Sequence, residues 1–282
     1  MKLAISNLAW DINEQEELLS LLPSLGVSGI EVAPTKIANW ENIKPSLLAD
    51  FRNKLNDKGL CVSSLQAIFF GKPDAQLLGD INGFGIMCEH IDFLADIAAE
   101  LGTQVAVFGA PKNRQRSNIA SDVAFNLAKE RFRQLGEICQ GRMKIGIEPV
   151  PRFYGSDFIL TAEEDLALVK AVNHPAVGLH LDTGCVFLGD GNIDLAVREG
   201  ISHLIHFHVA EPELSNFSSP KSAHVLAAKA LNEVGYNQWI AIEMKAGASE
   251  NSVQNVVQAV EFVRKTYNSS LNNISINANQ GF

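Results

Sequence analysis

KIGIEP, residues 144–149, is a short apolar run that ends in one acid, Glu148, followed by a proline. Three later segments repeat this design, with an acid or an imidazole near the end of the run: VGLHLD (177–182), HLIHFHV (203–209) and WIAIEM (239–244). Short runs rich in β-branched residues and bounded by helix-breaking or polar residues predict buried strands. Each predicted strand therefore carries one side chain capable of chemistry near its carboxyl end.

The first half of the chain contains four further strand signals: KLAIS (2–6), GIEVA (29–33), CVSSLQA (61–67) and QVAVFG (104–109). Helical patterns separate the strands, and the connections are too long for hairpins, so the sheet should be parallel. Eight such units in residues 1–267 predict an α/β protein with a single (β/α)8 TIM barrel, in which outer helices enclose eight parallel strands. A doubly wound sheet would need a Gly-rich phosphate turn after an early strand, and the sequence has none.

Eight helices are predicted between and after these strands: 14–25, 45–58, 83–101, 119–139, one opened by Thr161, 193–199, 222–234 and 249–267. Pro23 predicts a shortened or kinked last turn in the first of them, and Gly26 ends it. The loop from Phe69 to Asn82 is long enough to be a lid candidate. Residues 268–282 carry no charge and no helical pattern, so we expect a flexible tail that is available to a partner subunit.

Composition limits the classes of function. The chain has 282 residues, a hydrophobic fraction of 46% and a net charge of −9, without a cluster of Lys and Arg. A nucleic-acid-binding surface would need such a cluster, so a small-molecule substrate is favoured. The N-terminus turns acidic by residue 11 and no run approaches about 18 apolar residues, so neither a signal peptide nor a membrane span is expected. Four scattered cysteines without a CxxC pair favour a reduced, cytoplasmic protein.

The carboxyl ends of all strands in such a barrel meet on one face, which would unite side chains up to 95 residues apart in the sequence. These are Glu148, Asp182, His208 and Glu243. Three carboxylates and one imidazole make an oxygen-rich site that suits one divalent metal ion, Mg²⁺ or Mn²⁺, with Co²⁺ or Zn²⁺ also compatible. The alternative is that each is a solvated residue at the end of a strand, but four strand ends in this chain share the design.

The four segments resemble those of the xylose isomerase-like barrel superfamily of sugar and sugar-phosphate isomerases and epimerases. Separations of 34, 26 and 35 residues between successive candidate ligands are similar to the pattern of the D-tagatose 3-epimerase type. The resemblance covers residues 1–267. It implies that Glu148 and Glu243 are both metal ligands and catalytic acid and base groups, and that Asp182 and His208 are ligands only.

The chain departs from that pattern at three positions. Cys185 stands where those epimerases usually have a histidine, Leu214 where they have an arginine, and Tyr154 where they have a glutamate. In the epimerases these positions hold substrate hydroxyls and catalytic groups. The departures therefore argue against a free ketohexose as substrate, while the metal ligands are retained.

Nine residues are candidates for contact with substrate: Asn7, Trp10, Gln66, Lys112, Arg114, Tyr154, Cys185, His206 and Lys245. Lys112 and Arg114 follow the fourth strand and either bind a substrate phosphate or carboxylate or form a solvated basic loop. His206 lies two residues before His208 on the same side of its strand, so it either supports the site or is a hydrogen-bonded histidine inside the barrel. His180 has the same alternatives.

Three further residues are weaker candidates for the site. Glu31 either binds a substrate hydroxyl or pairs with a base such as Lys36. Glu211 and His224 are candidates for the mouth of the site.

The expected function is a divalent-metal-dependent sugar or sugar-phosphate isomerase or epimerase, acting by proton transfer through an enediolate. Epimerisation, isomerisation and dehydration share the ligand set, so a dehydratase or lyase of the dehydroshikimate type is the first alternative, and a non-catalytic sugar-binding relative is the second. An apurinic endonuclease would need more histidines and aspartates and a basic face. Barrels of this type often pair, which makes a homodimer a further expectation.

Overall fold

The computed structural model describes residues 1–247 and 251–271, with side chains up to residue 267. Its eight parallel strands form a closed barrel in chain order, with β8 paired to β1. The strands are β1 (Lys2–Ser6), β2 (Gly29–Val32), β3 (Cys61–Leu65), β4 (Val105–Phe108), β5 (Lys144–Ile147), β6 (Val177–Asp182), β7 (Leu204–Ala210) and β8 (Trp239–Glu243). The predicted (β/α)8 TIM barrel is therefore confirmed.

Nine α-helices occur in the described residues: α1 (Gln15–Leu21), α2 (Pro45–Asp57), α3 (Ile81–Leu101), α4 (Ser121–Cys139), α5 (Ala162–Val172), α6 (Thr183–Leu188), α7 (Ile193–Gly200), α8 (His224–Glu233) and α9 (Ser252–Leu271). A 3-10 turn at Leu22–Leu25 follows α1, and Gly26 closes it with a φ of 81°. This turn contains Pro23, which lacks the N–H that an α-helix needs, so the predicted shortening of the first helix is confirmed.

Helix α6 was missing from the sequence prediction, which placed a single helix between β6 and β7. Its N-cap is Asp182, whose Oδ1 accepts a hydrogen bond of 2.6 Å from the backbone N–H of Cys185. Aspartate is a favoured N-cap residue, but six residues are too few to produce a periodic pattern in the sequence. One oxygen of Asp182 is thus committed to the helix, and Oδ2 is left for another partner.

The barrel interior beneath the carboxyl ends is polar. In the register of β6 and β7, His180 pairs with His206 and Asp182 pairs with His208, which sets two rows of side chains beside each other. The first of these pairs and Glu31 of β2 are fully buried. A layer of imidazoles and carboxylates therefore lies directly beneath the carboxyl-end face, between that face and the aliphatic core.

The C-terminal helix runs further than the sequence suggested. α9 extends to Leu271, beyond the predicted end at Tyr267. Residues 272–282 of the predicted tail and Ser249, the predicted start of the helix, lie outside the described residues. Within residues 1–247 and 251–271, no helix has both the length and the hydropathy that a membrane crossing requires.

Candidate active site

Four candidate ligands meet at the carboxyl end of the barrel. Glu148 directly follows β5, Asp182 ends β6, His208 lies in β7 and Glu243 ends β8. Each offers one donor atom, and these four atoms lie within 4.8 Å of one another. Three of the residues are buried, and the side chain of Glu243 is 14% exposed. The structure thus brings together all four residues that the sequence singled out as ligands.

The ring of His208 has two distinct sides. Nδ1 lies 3.1 Å from Oε2 of Glu243 and 3.5 Å from Oδ2 of Asp182. Nε2 faces the interior, where it lies 2.9 Å from Oε2 of Glu31, and the hydroxyl of Ser64 donates a hydrogen bond of 2.7 Å to Oε1 of Glu31. A carboxylate behind a histidine orients the ring and increases its basicity as a ligand. Glu31 therefore pairs with a base, as one of the two alternatives from the sequence proposed, and that base is His208, not Lys36.

The site concentrates negative charge in a buried volume. Burial, reinforced by Asp182 and Glu243, raises the pKa of Glu148 to about 8. Burial also raises the pKa of Glu243. Burial alone would lower the pKa of His208, but the charges of Glu31 and Glu243 outweigh it and raise that pKa well above its ordinary value. Near neutral pH, Glu148 therefore retains a proton until another positive charge compensates its carboxylate.

The donor set fits a divalent cation. Oδ2 of Asp182 and Nδ1 of His208 are buried, and within the described residues neither makes a well-aligned hydrogen bond, despite the short distances between His208 and the two carboxylates. Buried polar atoms without a partner are rare in folded proteins and call for an explanation such as a bound ion. Both atoms belong to the four-atom cluster, so one cation bound there would satisfy them together.

Gly109 leaves the space that Glu148 occupies. A Cβ atom at this position would collide with Oε2 of Glu148, a far closer approach than real Cβ atoms make. A glycine after β4 is therefore required for the Glu148 carboxylate to reach the other ligands.

His180 and His206 lie in the polar layer beneath the ligands, and the structure favours the interior-histidine alternative for both. Their Nδ1 atoms are 3.3 Å apart, and the two rings stack. Burial lowers the pKa of His206 to about 4 and lowers that of His180 well below its ordinary value, so both rings are neutral. His206 does not belong to the lining of the cavity described next, and it is not placed to touch a substrate there.

A cavity of about 670 Å³ opens above the four ligands, and all four line it. Four of the nine predicted substrate contacts also line it, namely Gln66, Lys112, Tyr154 and Cys185. The thiol of Cys185 lies 3.8 Å from Oε1 of Glu148, and burial raises its pKa well above the usual value, so the thiol stays protonated. The hydroxyl of Tyr154 accepts a hydrogen bond of 2.8 Å from the backbone N–H of Glu213, which ties the loops after β5 and β7 together across the mouth.

Asn7 and Trp10 do not belong to the described lining of this cavity. Trp10 is fully buried in the hydrophobic core. Asn7 is 1% exposed, and its Oδ1 accepts a hydrogen bond of 2.9 Å from the backbone N–H of Ala33, which joins the ends of β1 and β2. Both residues thus serve the barrel itself, although Leu8 between them lines the cavity.

Arg114 and Lys245 are also placed away from the cavity lining in the described structure. Arg114 is fully buried, and the nearest opposite charges are Asp165, itself fully buried, and Glu148. Its Nη2 donates a hydrogen bond of 3.4 Å to the carbonyl of Ile159, so the guanidinium is buried within the protein and does not line the cavity. Lys245 is exposed, and its backbone N–H donates a hydrogen bond of 3.0 Å to the carbonyl of Leu214.

Several lining residues had no place in the prediction, and they come mainly from the loop after β3. Phe69, Phe70 and Lys72 line the cavity, as does Leu214, which the sequence had marked only as a departure from a pattern. The length of the loop was a usable signal for its position at the mouth. Its aromatic pair could have been weighed as part of a binding surface.

Glu211, a weaker sequence candidate, lines the cavity and is held from behind. Its Oε1 lies 2.5 Å from Nε2 of His224, and Nδ1 of the same ring lies 3.1 Å from the hydroxyl of Tyr267. The backbone N–H of Lys221 donates a hydrogen bond of 2.7 Å to Oε2. This buried chain connects the mouth of the cavity to α9.

The comparisons with known proteins agree with this geometry. The family model described as "Xylose isomerase-like TIM barrel" matches residues 19–266. A probable ketose 3-epimerase of Synechocystis sp. is 27% identical over 130 residues, which is 46% of this chain and 43% of that protein. The matched stretch is thus less than half of that relative's length.

Solved structures show the same fold over nearly their whole length. D-Psicose 3-epimerase from Clostridium cellulolyticum H10, solved with D-tagatose, has a TM-score of 0.79 at 17% identity, covering 95% of this chain and 99% of that one. The IOLI protein, solved with a bound zinc atom, has a TM-score of 0.74 at 16% identity, covering 96% of this chain and 99% of that one. Identities this low establish a common fold and leave the substrate open.

Proposed function

Because this chain belongs to the xylose isomerase-like TIM barrel family, we propose that it is a divalent-metal-dependent enzyme that epimerises or isomerises a sugar or a sugar phosphate. The observation that carries the proposal is the meeting of Glu148 and Glu243 with Asp182 and His208 at the floor of one cavity. The similarity to a ketose 3-epimerase and the fold shared with D-psicose 3-epimerase support the sugar substrate.

The two catalytic carboxylates reach the floor from different sides. Glu148 follows β5 and Glu243 ends β8, with β6 and β7 between them in the barrel. A substrate carbon held between them can lose a proton to one carboxylate and receive a proton from the other on its opposite face, which inverts the centre. Return of the proton to the neighbouring carbon would give aldose–ketose isomerisation instead.

The residues that hold the ion are proposed to be the four ligands, with Mn²⁺ or Mg²⁺ as the ion that best suits three carboxylates and one imidazole. When bound, a divalent ion supplies positive charge that polarises a carbonyl and stabilises the negative charge developing on the substrate's oxygens. Glu31 keeps the His208 ring in the orientation that presents Nδ1 to the cavity.

A location in a reducing compartment such as the cytoplasm is part of the proposal. It is supported by the four cysteines, Cys61, Cys88, Cys139 and Cys185, all of which are free thiols.

The test is solvent isotope exchange. Ketoses, phosphorylated sugars and sugar acids are incubated with the metal-loaded protein in deuterated water, and NMR identifies both the C–H position that exchanges and the product. We expect exchange at a carbon next to the carbonyl, loss of that exchange in Glu148→Gln and in Glu243→Gln, and loss on removal of the metal with a chelator. Full exchange in either variant contradicts the role given to that residue. Formation of an unsaturated product would identify a dehydratase instead.

A further inference from the structure

The cavity has two chemically different halves. Its floor carries the four candidate ligands, and Gln66 and Glu211 also line the cavity. Its walls and lip are largely apolar, and they include Leu8, Ile68, Phe70, Val107, Val150 and Leu214. A polyol enclosed in this cavity would meet hydrogen-bonding groups mainly at the end that lies on the floor.

The polar side chains on the lining are mostly committed to the protein. Nδ2 of Asn113 donates hydrogen bonds of 2.7 Å to the carbonyls of Lys72 and Ala75. The carboxylate of Glu211 is used by His224 and by backbone N–H groups. The amide nitrogen of Gln66 donates to the hydroxyl of Ser6. Among the described lining, the hydroxyl hydrogen of Tyr154 and the ammonium group of Lys112 remain for sugar hydroxyls away from the floor, which is few for a polyol, and burying unpaired hydroxyls is unfavourable.

The apolar lip is preformed. The ring of Phe70 is 70% exposed, yet its backbone is fixed, because its N–H donates to the carbonyl of Ala67 and its carbonyl accepts a hydrogen bond of 2.7 Å from Nε1 of Trp40. Asn113 joins the same loop to the loop after β4. Leu214, on the lining formed by the loop after β7, is fixed through its carbonyl by the N–H of Lys245. Preformed apolar walls with a few polar groups at one end are typical of sites for ligands with an apolar part.

From these contacts we propose that the substrate is a sugar that keeps its carbonyl at the end on the floor and carries an apolar substituent at its far end, such as the aryl group of an aryl-substituted ketose. The sugar end lies on the carboxylates of the floor, and the substituent packs between Phe70 and Leu214. This inference rests on the proposed function for the chemistry at the sugar end. It differs from that function in naming the part of the substrate that the walls recognise.

Two lysines, Lys72 and Lys112, line the cavity and could instead bind a sugar whose far end carries a negative charge. The ammonium group of Lys72 lies 5.9 Å from the centre of the Trp40 ring, a residue outside the cavity lining, and thus has an attractive partner there. Lys112 is exposed at the rim. The larger part of the wall is apolar, and this favours the aromatic substituent over the anionic one.

The test compares matched probes by calorimetry on the Mg²⁺-loaded protein. D-Fructose carrying a methyl ether on its 6-hydroxyl and D-fructose carrying a phenyl ether there differ only in the substituent, and D-fructose 6-phosphate serves as the anionic probe. We expect the phenyl ether to bind at least about tenfold more tightly than the methyl ether. An equal affinity, no measurable binding of either ether, or tighter binding of the phosphate overturns the inference.

Two variants locate the substituent, and one serves as a control. Phe70→Ser removes the exposed ring of the lip, and Leu214→Asn replaces an apolar wall residue whose φ of 55° is one that asparagine tolerates well. Each should reduce the preference for phenyl over methyl by at least about threefold. Ile81→Ser changes a residue that is 76% exposed and outside the cavity lining, and it should leave the preference unchanged. An unchanged preference in both wall variants also overturns the inference.

The outcomes separate this inference from the proposed function. A phenyl preference without isotope exchange in any sugar would leave the binding surface standing and refute the enzymatic reaction. Exchange on free ketoses with the same efficiency as on their aryl-substituted counterparts would support the reaction and refute the apolar extension.

Discussion

Nε2 of His208 lies 2.9 Å from Oε2 of Glu31, on the side of the imidazole that faces away from the cavity. The two residues are 177 positions apart in the sequence, and Glu31 is fully buried. The pairing leaves Nδ1 as the only ring nitrogen directed at the carboxylates of the floor. A residue in the second strand thus orients a candidate metal ligand in the seventh strand.

Glu31→Gln should weaken the binding of Mn²⁺ by about 10–100-fold, the usual effect of losing the partner of a ligand histidine. The amide has no charge and holds the imidazole less firmly, while its shape is kept. Titration calorimetry measures the affinity. Glu17→Gln, an exposed carboxylate on α1, is the matched control and should bind the metal like the unchanged protein. Equal affinities in the two variants would contradict the orienting role.

Gly109→Ala should abolish most of the isotope exchange, by about a hundredfold or more, because the new Cβ would occupy the place of the Glu148 carboxylate. The fold should persist, as judged by circular dichroism. Gly85→Ala is the control: it adds a Cβ in helix α3 where nothing lies within 4 Å, and it should raise stability by about 0.5–1 kcal/mol without changing exchange. Retained activity in Gly109→Ala would show that the Glu148 carboxylate does not need the space beside residue 109.

Metal affinity should increase with pH between about 5 and 8. The folded-state pKa of Glu148 is raised from 4.5 to about 8 by burial and by the neighbouring carboxylates. The protonated group stabilises the metal-free fold fully below about pH 4.5, and that contribution is lost as the pH rises to about 8. A cation must displace this proton, so its affinity rises by up to about tenfold per pH unit.

Thermal melts with and without Mg²⁺ across this range check the pH prediction. The melting temperature without metal should fall toward pH 8, and the stabilisation by Mg²⁺ should grow. Metal-free Glu148→Gln should lose this part of the pH dependence. A shift by Mg²⁺ that stays constant from pH 5 to 8 would refute the assignment.

His224→Ala should cost about 3 kcal/mol of stability, because it leaves the buried carboxylate of Glu211 without its imidazole. Tyr267→Phe, which removes only the hydroxyl hydrogen-bonded to the same ring, should cost about 1 kcal/mol. Urea denaturation measures both. A smaller loss in His224→Ala than in Tyr267→Phe would mean that the carboxylate is not held by the ring.

The strand pattern predicted most of the fold, and it predicted that Glu148, Asp182, His208 and Glu243 would lie close together. The residue type at each strand end is a local property, and a closed parallel barrel converts four such ends into one site. Contacts between segments that are distant in the sequence could not be predicted from the local pattern. Glu31 was visible as an acid at a strand end, but nothing near it in the sequence indicates His208.

Residues just past a strand were the least predictable. Trp10 and Arg114 follow β1 and β4, where alternation no longer tells which way a side chain points, and both turn inward. Helix α6 was missed because one capping aspartate, already interpreted as a ligand, was its only clear signal. Oδ1 of Asp182 caps the helix, and Oδ2 remains available for the proposed metal ion.

The amide of Asn113 has a practical consequence for anyone who wishes to alter this protein. Its hydrogen bonds to the carbonyls of Lys72 and Ala75 join the loop after β4 to the loop after β3. Replacing one of these loops alone would leave hydrogen-bonding groups on the other without their partners. An exchange of loops with a relative should therefore replace both loops at once.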